Sequence, residues 1–130
     1  MKFARIVFLF AGLWGIIELA PLFFLFGAVS RRSPSADPEL YYAFLAVTMA
    51  WQLAFLVIAS NPGRFRPMMI PSVIEKAGYL LTVAVLFAQG RIAIGHLLIA
   101  APDLLFGALF AIALAKTSDF DLMSGLKSMK

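Results

Sequence analysis

Two carboxylic acids interrupt an otherwise apolar chain: Glu18 within "LWGIIELAPLFF" and Asp103 within "APDLLF". A carboxyl in hydrocarbon can hold a proton or accept hydrogen bonds from a polar guest. Left bare and ionised, a charged side chain there costs on the order of 2.5–3.5 kcal/mol on insertion scales. Desolvation penalises the charged form, so each acid must be protonated or partnered. Two acids at one depth reinforce this and can share a proton. Three further polar residues fall within reach of such a site by sequence. Gln52 has Thr48 one turn before it, and His96 stands seven residues before Asp103. Glu18, Asp103, Gln52 and His96 are therefore the candidate ligand- or proton-binding residues. Thr48, Trp14 and Trp51 are the candidate lining.

The elements that must carry these residues follow from composition. The chain has 130 residues, 62% of them hydrophobic, with a mean hydropathy of +0.93. Soluble domains sit nearer about 45–50% apolar. A bilayer core needs about 20 helical residues to cross. Four stretches qualify: about Ile6–Val29, Leu40–Ala59, Ser72–Gln89 and Ile92–Ala115. Their apolar runs are continuous and do not alternate with period two, which excludes strands. The expected fold is all-α: one transmembrane domain over 1–130, an up-down-up-down four-helix bundle with a short tail over 116–130. Lys2 and Arg5 ahead of an apolar stretch also describe a signal peptide. The run is too long for an h-region of about 7–15 residues, and Glu18 interrupts it, so the segment is read as a span.

Local signals mark the ends. "SADPEL" offers Asp37 as an N-cap with Pro38 at the first helical position. "SNPGRFRP" stops the second helix. Ser72 and Glu75 in "PSVIEK" have capping-box spacing. "QGR", residues 89 to 91, makes a tight turn between the last two helices. Four spans put both termini and the 60–71 loop on one side. That side carries Lys2, Arg5, Arg64, Arg66, Lys116, Lys127 and Lys130, with Lys76 snorkelling to it from the third helix. The other side carries only Arg31, Arg32 and Arg91. The positive-inside rule makes the first side cytoplasmic. The net charge of +4 is thus a topology signal and an attraction to anionic lipid headgroups; no basic soluble surface exists for a nucleic acid. In the tail, Phe120, Leu122, Met123, Leu126 and Met129 among charges fit a short amphipathic helix on the membrane surface or a frayed end.

Depth brings the acids together. At the helical rise, Glu18 lies roughly 18 Å from Ile6 and Asp103 roughly 18 Å from Ala115. Both are then near the middle of a core about 30 Å thick. Glu18 shares a stripe with Ala11 and Gly15, and Asp103 shares one with Gly107, Ala111 and Ala115. Small residues let membrane helices approach closely, so both acids are expected to face protein. Pro21 and Pro102 each remove a backbone donor within a turn of an acid, which opens room for a cavity or is an ordinary kink. The Ala43, Ala46, Ala50, Ala54 stripe of the second helix lies on a different face from Gln52. If that stripe makes the main contact, Gln52 is interhelical glue. Tyr41 and Tyr42 fit an outer aromatic belt.

The chain has no cysteine, which excludes disulfides and thiol chemistry. One histidine without a second ligand at helical spacing argues against a metal centre. No phosphate-cradling glycine loop or Ser-His-Asp set is present. No cofactor is implied, and no catalytic residue is assigned. Acid–base chemistry on a lipid-like substrate through Glu18 and Asp103 stays open without a motif to select it.

The stretch "YYAFLAVTMAWQLAFLVIASNPGRFRPMMIPSVIEKAGYLL" resembles the central part of small four-helix bacterial membrane proteins of DoxX-like layout. The matching pieces are Tyr41-Tyr42, Trp51-Gln52, the Pro62…Arg64-x-Arg66-Pro67 loop and Glu75-Lys76, about a third of the chain. The resemblance implies the architecture and a bacterial inner membrane. "WQLAFLVIAS" before a basic, proline-containing loop is also similar to EXPERA-type bundles, which implies a sterol-like ligand held against buried acids. Three functions follow as expectations. The first is a pocket around Glu18 and Asp103 for a small amphipathic or lipid-like ligand. The second is a proton-coupled transporter working as a homodimer. The third is a structural or accessory subunit whose polar residues only pin helices together; under every reading membrane lipids are expected partners.

Overall fold

The computed structural model describes residues 2–32 and 36–128, with side chains described as far as Thr117. Every regular element among them is helical. The stretches Lys2–Phe24, Pro38–Ser60, Arg66–Ala88 and Ile94–Thr117 are long and apolar enough to cross a membrane. The chain is therefore an all-helical protein with four candidate spans.

The first span is not the single helix expected over about 6–29. Helix α1 covers Lys2–Leu19, a 3-10 turn follows over Ala20–Phe24, and a short α2 covers Phe26–Arg32. Pro21 has no N–H to give the carbonyl of Ile17, so the α-helical ladder lapses at that point. Leu22 shows how the change is accommodated. Its carbonyl accepts the N–H of Leu25 at 3.3 Å and the hydroxyl of Tyr41 at 2.7 Å. Tyr41 also packs between Phe26 and Tyr42, so it ties the end of the first span to the start of the second.

Helix α3 runs Pro38–Ser60, and its start matches the sequence signal. Asp37 Oδ1 accepts the N–H groups of Glu39 at 2.8 Å and Leu40 at 3.3 Å. Helix α4 departs from expectation. It covers Met69–Ala88 and is preceded by a 3-10 turn over Arg66–Met68. Ser72 is not a cap: its hydroxyl donates back to the Met68 carbonyl at 2.7 Å, inside the helix and fully buried. Pro67 and Pro71 explain the earlier start, because proline is tolerated in a first turn where its missing N–H has no partner to lose. The turn after α4 is as read from "QGR". Gly90 adopts φ 70°, Arg91 N–H donates to Leu86 O at 2.9 Å and Gly90 N–H to Phe87 O at 3.0 Å, a Schellman ending. Helix α5 then runs from Ile94 to Ser128. It does not end near Ala115, since the polar residues there mark a change of surroundings without a glycine or proline to break the ladder. The expected amphipathic tail side chains, Phe120 to Met129, lie outside the described residues.

Helix α1 packs on α3 and α5, and α4 packs on α5, while α3 and α4 meet only slightly. Paired residues run in opposite directions along each contact. Leu22 meets Tyr41 while Phe8 meets Phe55, and Lys76 meets Asp103 while Met69 meets Thr117. The core is an aromatic plug toward the chain-terminal end. Phe8 stacks on Phe110 at 4.3 Å, and Phe55 meets Phe110 edge-on at 4.8 Å. Next to the plug, Arg66 donates to Thr117 Oγ1 and to the Leu114 carbonyl, both at 3.2 Å, pinning the α4 entrance to α5.

The α1–α3 contact corrects one expectation. Ala43, Ala46 and Ala50 face outward, and the buried side of α3 is Leu45, Gln52, Phe55, Ile58 and Ala59. The small residues that permit the approach belong to α1. A Cβ on Gly15 would overlap the Gln52 side-chain amide. One on Gly12 would lie 2.9 Å from the Gln52 carbonyl oxygen, a backbone atom that cannot swing aside. Gly12→Ala should therefore lower stability by about 1–3 kcal/mol through overpacking. Gly78→Ala, where a Cβ meets nothing within 4 Å, should leave it unchanged or slightly higher. Thermal melts of both variants in one detergent check the contrast.

Candidate functional site

Beyond the aromatic plug the four spans wall a partly open cavity of about 170 Å³. Its wall is built in register from all of them. Helix α1 contributes Ala11, Trp14, Gly15, Glu18 and Leu19, and α3 contributes Phe44, Thr48 and Gln52. Helix α4 contributes Glu75, Lys76 and Tyr79, and α5 contributes Ile99, Asp103 and Phe106. The space opens where the α1–α3 glycine seam ends and where α3 and α4 stand apart.

Its centre is an ion pair. Lys76 Nζ lies 2.7 Å from Asp103 Oδ1 and 3.7 Å from Glu75 Oε2. Lys76 is 6% exposed, and its ammonium stands 5.4 Å from the centroid of the Phe55 ring. Gly107, one turn after Asp103, lets the lysine stem lie close: a Cβ there would come within 3.3 Å of Lys76 Cβ. This replaces the expected snorkelling of Lys76. The helix begins at the 3-10 turn of Arg66, so Lys76 is about 15 Å into the span, too deep for its stem to reach the interface. Glu75, expected as a helix cap, also faces the cavity, and its Oε2 is buried without a hydrogen-bond partner.

Glu18 occupies the opposite wall. Trp14, one turn earlier on α1, lines the same wall beside it. Among the described residues no basic side chain stands within ion-pair distance of it. Gln52 is 2% exposed and donates Nε2 to the Thr48 carbonyl at 3.1 Å. Thr48 in turn donates its hydroxyl to Phe44 O at 2.7 Å. Both line the cavity, and each gives a donor to its own helix: Thr48 its hydroxyl and Gln52 one of its two amide N–H groups.

Thus Glu18, Asp103, Gln52, Thr48 and Trp14 meet at one cavity. Two other candidates do not. His96 is exposed in the first turn of α5 and lines no part of the space, so no relay from it to Asp103 is formed. Trp51 packs on Phe55, 6.2 Å between ring centroids, behind the aromatic plug. Lys76, Glu75 and Tyr79 are lining residues that the sequence reading did not place at the site, having given Lys76 to the interface and Glu75 to a helix cap. A signal for Lys76 existed, since Met69, Ser72, Lys76 and Val83 form the buried stripe of α4. Among the described residues no three His, Asp or Glu side chains converge as metal ligands. Comparison with family models, with curated proteins and with solved structures found no match.

Chemically, the arrangement sets three carboxyls and one ammonium around a water-sized to small-molecule space. It can hold protons, and it offers more acceptors than donors to a guest. The pair itself is sensitive to loss of one member, because an uncompensated buried charge costs about 3–5 kcal/mol. Asp103→Asn, which strands the lysine, should lower stability by that amount. Replacing both partners with apolar residues, Lys76→Met with Asp103→Leu, should recover most of it. Chemical or thermal unfolding in detergent of the two single variants and the double variant measures the coupling.

Proposed function

We propose that this chain is a multi-pass protein of a bacterial inner membrane, and that its intramembrane cavity binds a small amphipathic or lipid-like ligand. The observation that carries the reading is the shared cavity. All four candidate spans wall it with polar groups at mid-depth, where such groups are expensive unless used. Hydrogen-bond donors of a guest would meet Glu18 and the acceptor oxygens around it. Its apolar part would meet Trp14, Phe44, Tyr79 and Phe106, in keeping with the apolar walls and few polar fixtures of ligand sites generally. In this reading the spans run up-down-up-down, and the excess of Lys2, Arg5, Arg64, Arg66, Lys116, Lys127 and Lys130 over Arg31, Arg32 and Arg91 supports cytoplasmic termini. The cavity then occupies the half of the bundle that faces away from the cytoplasm.

Orientation is tested without background, because the chain has no native cysteine. Single cysteines at Arg64 and Arg91 should react oppositely with a membrane-impermeant maleimide added to intact cells. Arg91→Cys labels directly, and Arg64→Cys labels only after lysis. The reverse pattern overturns the assignment. Ligand binding is tested by native mass spectrometry of protein released from mild detergent. Wild type should carry a reproducible small-molecule adduct, and Glu18→Gln, which keeps size and hydrogen bonding but removes the charge, should lose most of it at an unchanged melting temperature. A wild-type spectrum free of adduct, with no stabilisation by added lipid extract, counts against a ligand site.

A further inference from the structure

The cavity does not stand alone. Trp14 and Phe106 form a partition, and on its far side lies a second hollow lined by Phe10, Leu98, Ala101, Pro102 and Leu105, almost wholly apolar. This groove runs between α1 and α5 on the outer face of the bundle, beside Pro102 within α5. Phe10 and Phe106 close its base, with ring centroids 6.1 Å apart. One compartment is polar and interior, the next is apolar and exterior, and the two share their dividing side chains.

The charges of the inner compartment are unequal. Lys76 is committed to Asp103 at 2.7 Å and leans on Glu75 at 3.7 Å. Glu75 Oε2 keeps no hydrogen bond, and Glu18 has no ion-pair partner among the described residues. A guest that brings one positive charge and several N–H donors balances the wall. A guest that brings a negative charge meets acids on both sides, with the one ammonium that lines the cavity among the described residues already engaged. The Trp14 ring adds a face that attracts cations.

Building on the reading of the cavity as a ligand site, we infer that its ligand is a single-chain cationic amphiphile. The ammonium head sits between Glu18 and Glu75, and the chain passes the Trp14–Phe106 partition to lie in the α1–α5 groove. The adjacency of the two compartments, which share Trp14 and Phe106 as lining, sets the shape of the guest, and the excess of carboxyls over ammonium in the inner wall sets its sign.

Trp14 reports on this directly. In Trp51→Phe protein it is the sole tryptophan, and a bromine on a bound chain quenches its fluorescence. The probes are ω-bromoundecylamine, ω-bromoundecanol and ω-bromoundecanoate, added to protein in nanodiscs of neutral lipid and compared at equal membrane mole fraction. The amine should quench saturably at a concentration about tenfold below the alcohol, the scale of a hydrogen bond to a charged acceptor, and the carboxylate should be weakest. Glu18→Gln should erase the preference for the amine while Glu18→Asp keeps it. Ala101→Phe, which fills the groove and leaves the polar wall intact, should weaken amine and alcohol alike. Equal saturable quenching by amine and alcohol overturns the cationic head and leaves the cavity as a ligand site. An amine preference that survives Glu18→Gln overturns the placement of the head. Quenching that rises linearly for every probe, as by bulk lipid, overturns the ligand and the site together.

Discussion

The contact between Lys76 and Asp103, 2.7 Å long and set among apolar side chains, governs how the rest of the bundle is arranged. Taking an ammonium and a carboxylate out of water costs several kcal/mol for each ion, and only close, well-oriented pairing offsets it. That requirement explains the features around it. Gly107 admits the lysine stem, and the face of Phe55 lies beneath the ammonium. The pair also fixes the register of α4 against α5. With Lys76 opposite Asp103, Met69 falls beside Thr117 at one end, and the Schellman turn at Gly90 closes the other.

Helix α1 joins this pair of helices through a different physical device. Gly12 and Gly15 remove the side-chain bulk that would hold α3 away, and Gln52 fills the space so made with a buried amide. Dispersion at short range is the main attraction available to helices in lipid, so the seam is tight for as long as the glycines last. One turn further along, Glu18 and Leu19 replace them, and Pro21 then ends the regular helix. The seam cannot continue, and α3 finds no compensating contact with α4. The cavity is the space left where these two limits coincide.

Hydropathy made the number of candidate spans legible, because each of the four runs is continuous and long enough to cross a bilayer. It did not make the ends legible, and one end mattered. Counted from Ser72, Lys76 sits in a first turn and reaches the interface; counted from Arg66, it is about 15 Å deep. Two prolines that permit an early helix start therefore moved a lysine from the surface to the centre of the site. Glu18 and Asp103 were readable as facing protein because each shares a stripe with small residues. The alanine stripe of α3 misled by the same logic: close approach needs small residues on one partner only, and α1 already supplied them. His96 shared a face with Asp103 on an ideal helix, yet seven residues separate them by about 10 Å of rise, and Pro102 intervenes. Trp51 was lost for a simpler reason. Its neighbour Gln52 took the inward position, and adjacent residues on a helix point about 100° apart.

Whether the polar groups serve as helix fasteners or as a site is decided by how completely they satisfy one another. Ser72 and Thr117 are fasteners: both are buried, and each hydroxyl returns to a carbonyl of its own helix. The carboxyls behave otherwise. One ammonium serves Asp103 and Glu75, with no hydrogen bond left for Glu75 Oε2, while Glu18 faces the same space with an indole as its neighbour. A set of charges so unequal in a medium of low dielectric is incomplete without protons or a guest. Packing alone gives no reason for it, since an apolar residue at Glu18 would fasten α1 as well and cost less. These carboxyls border a space of about 170 Å³, whereas Ser72 and Thr117 are closed within the packing.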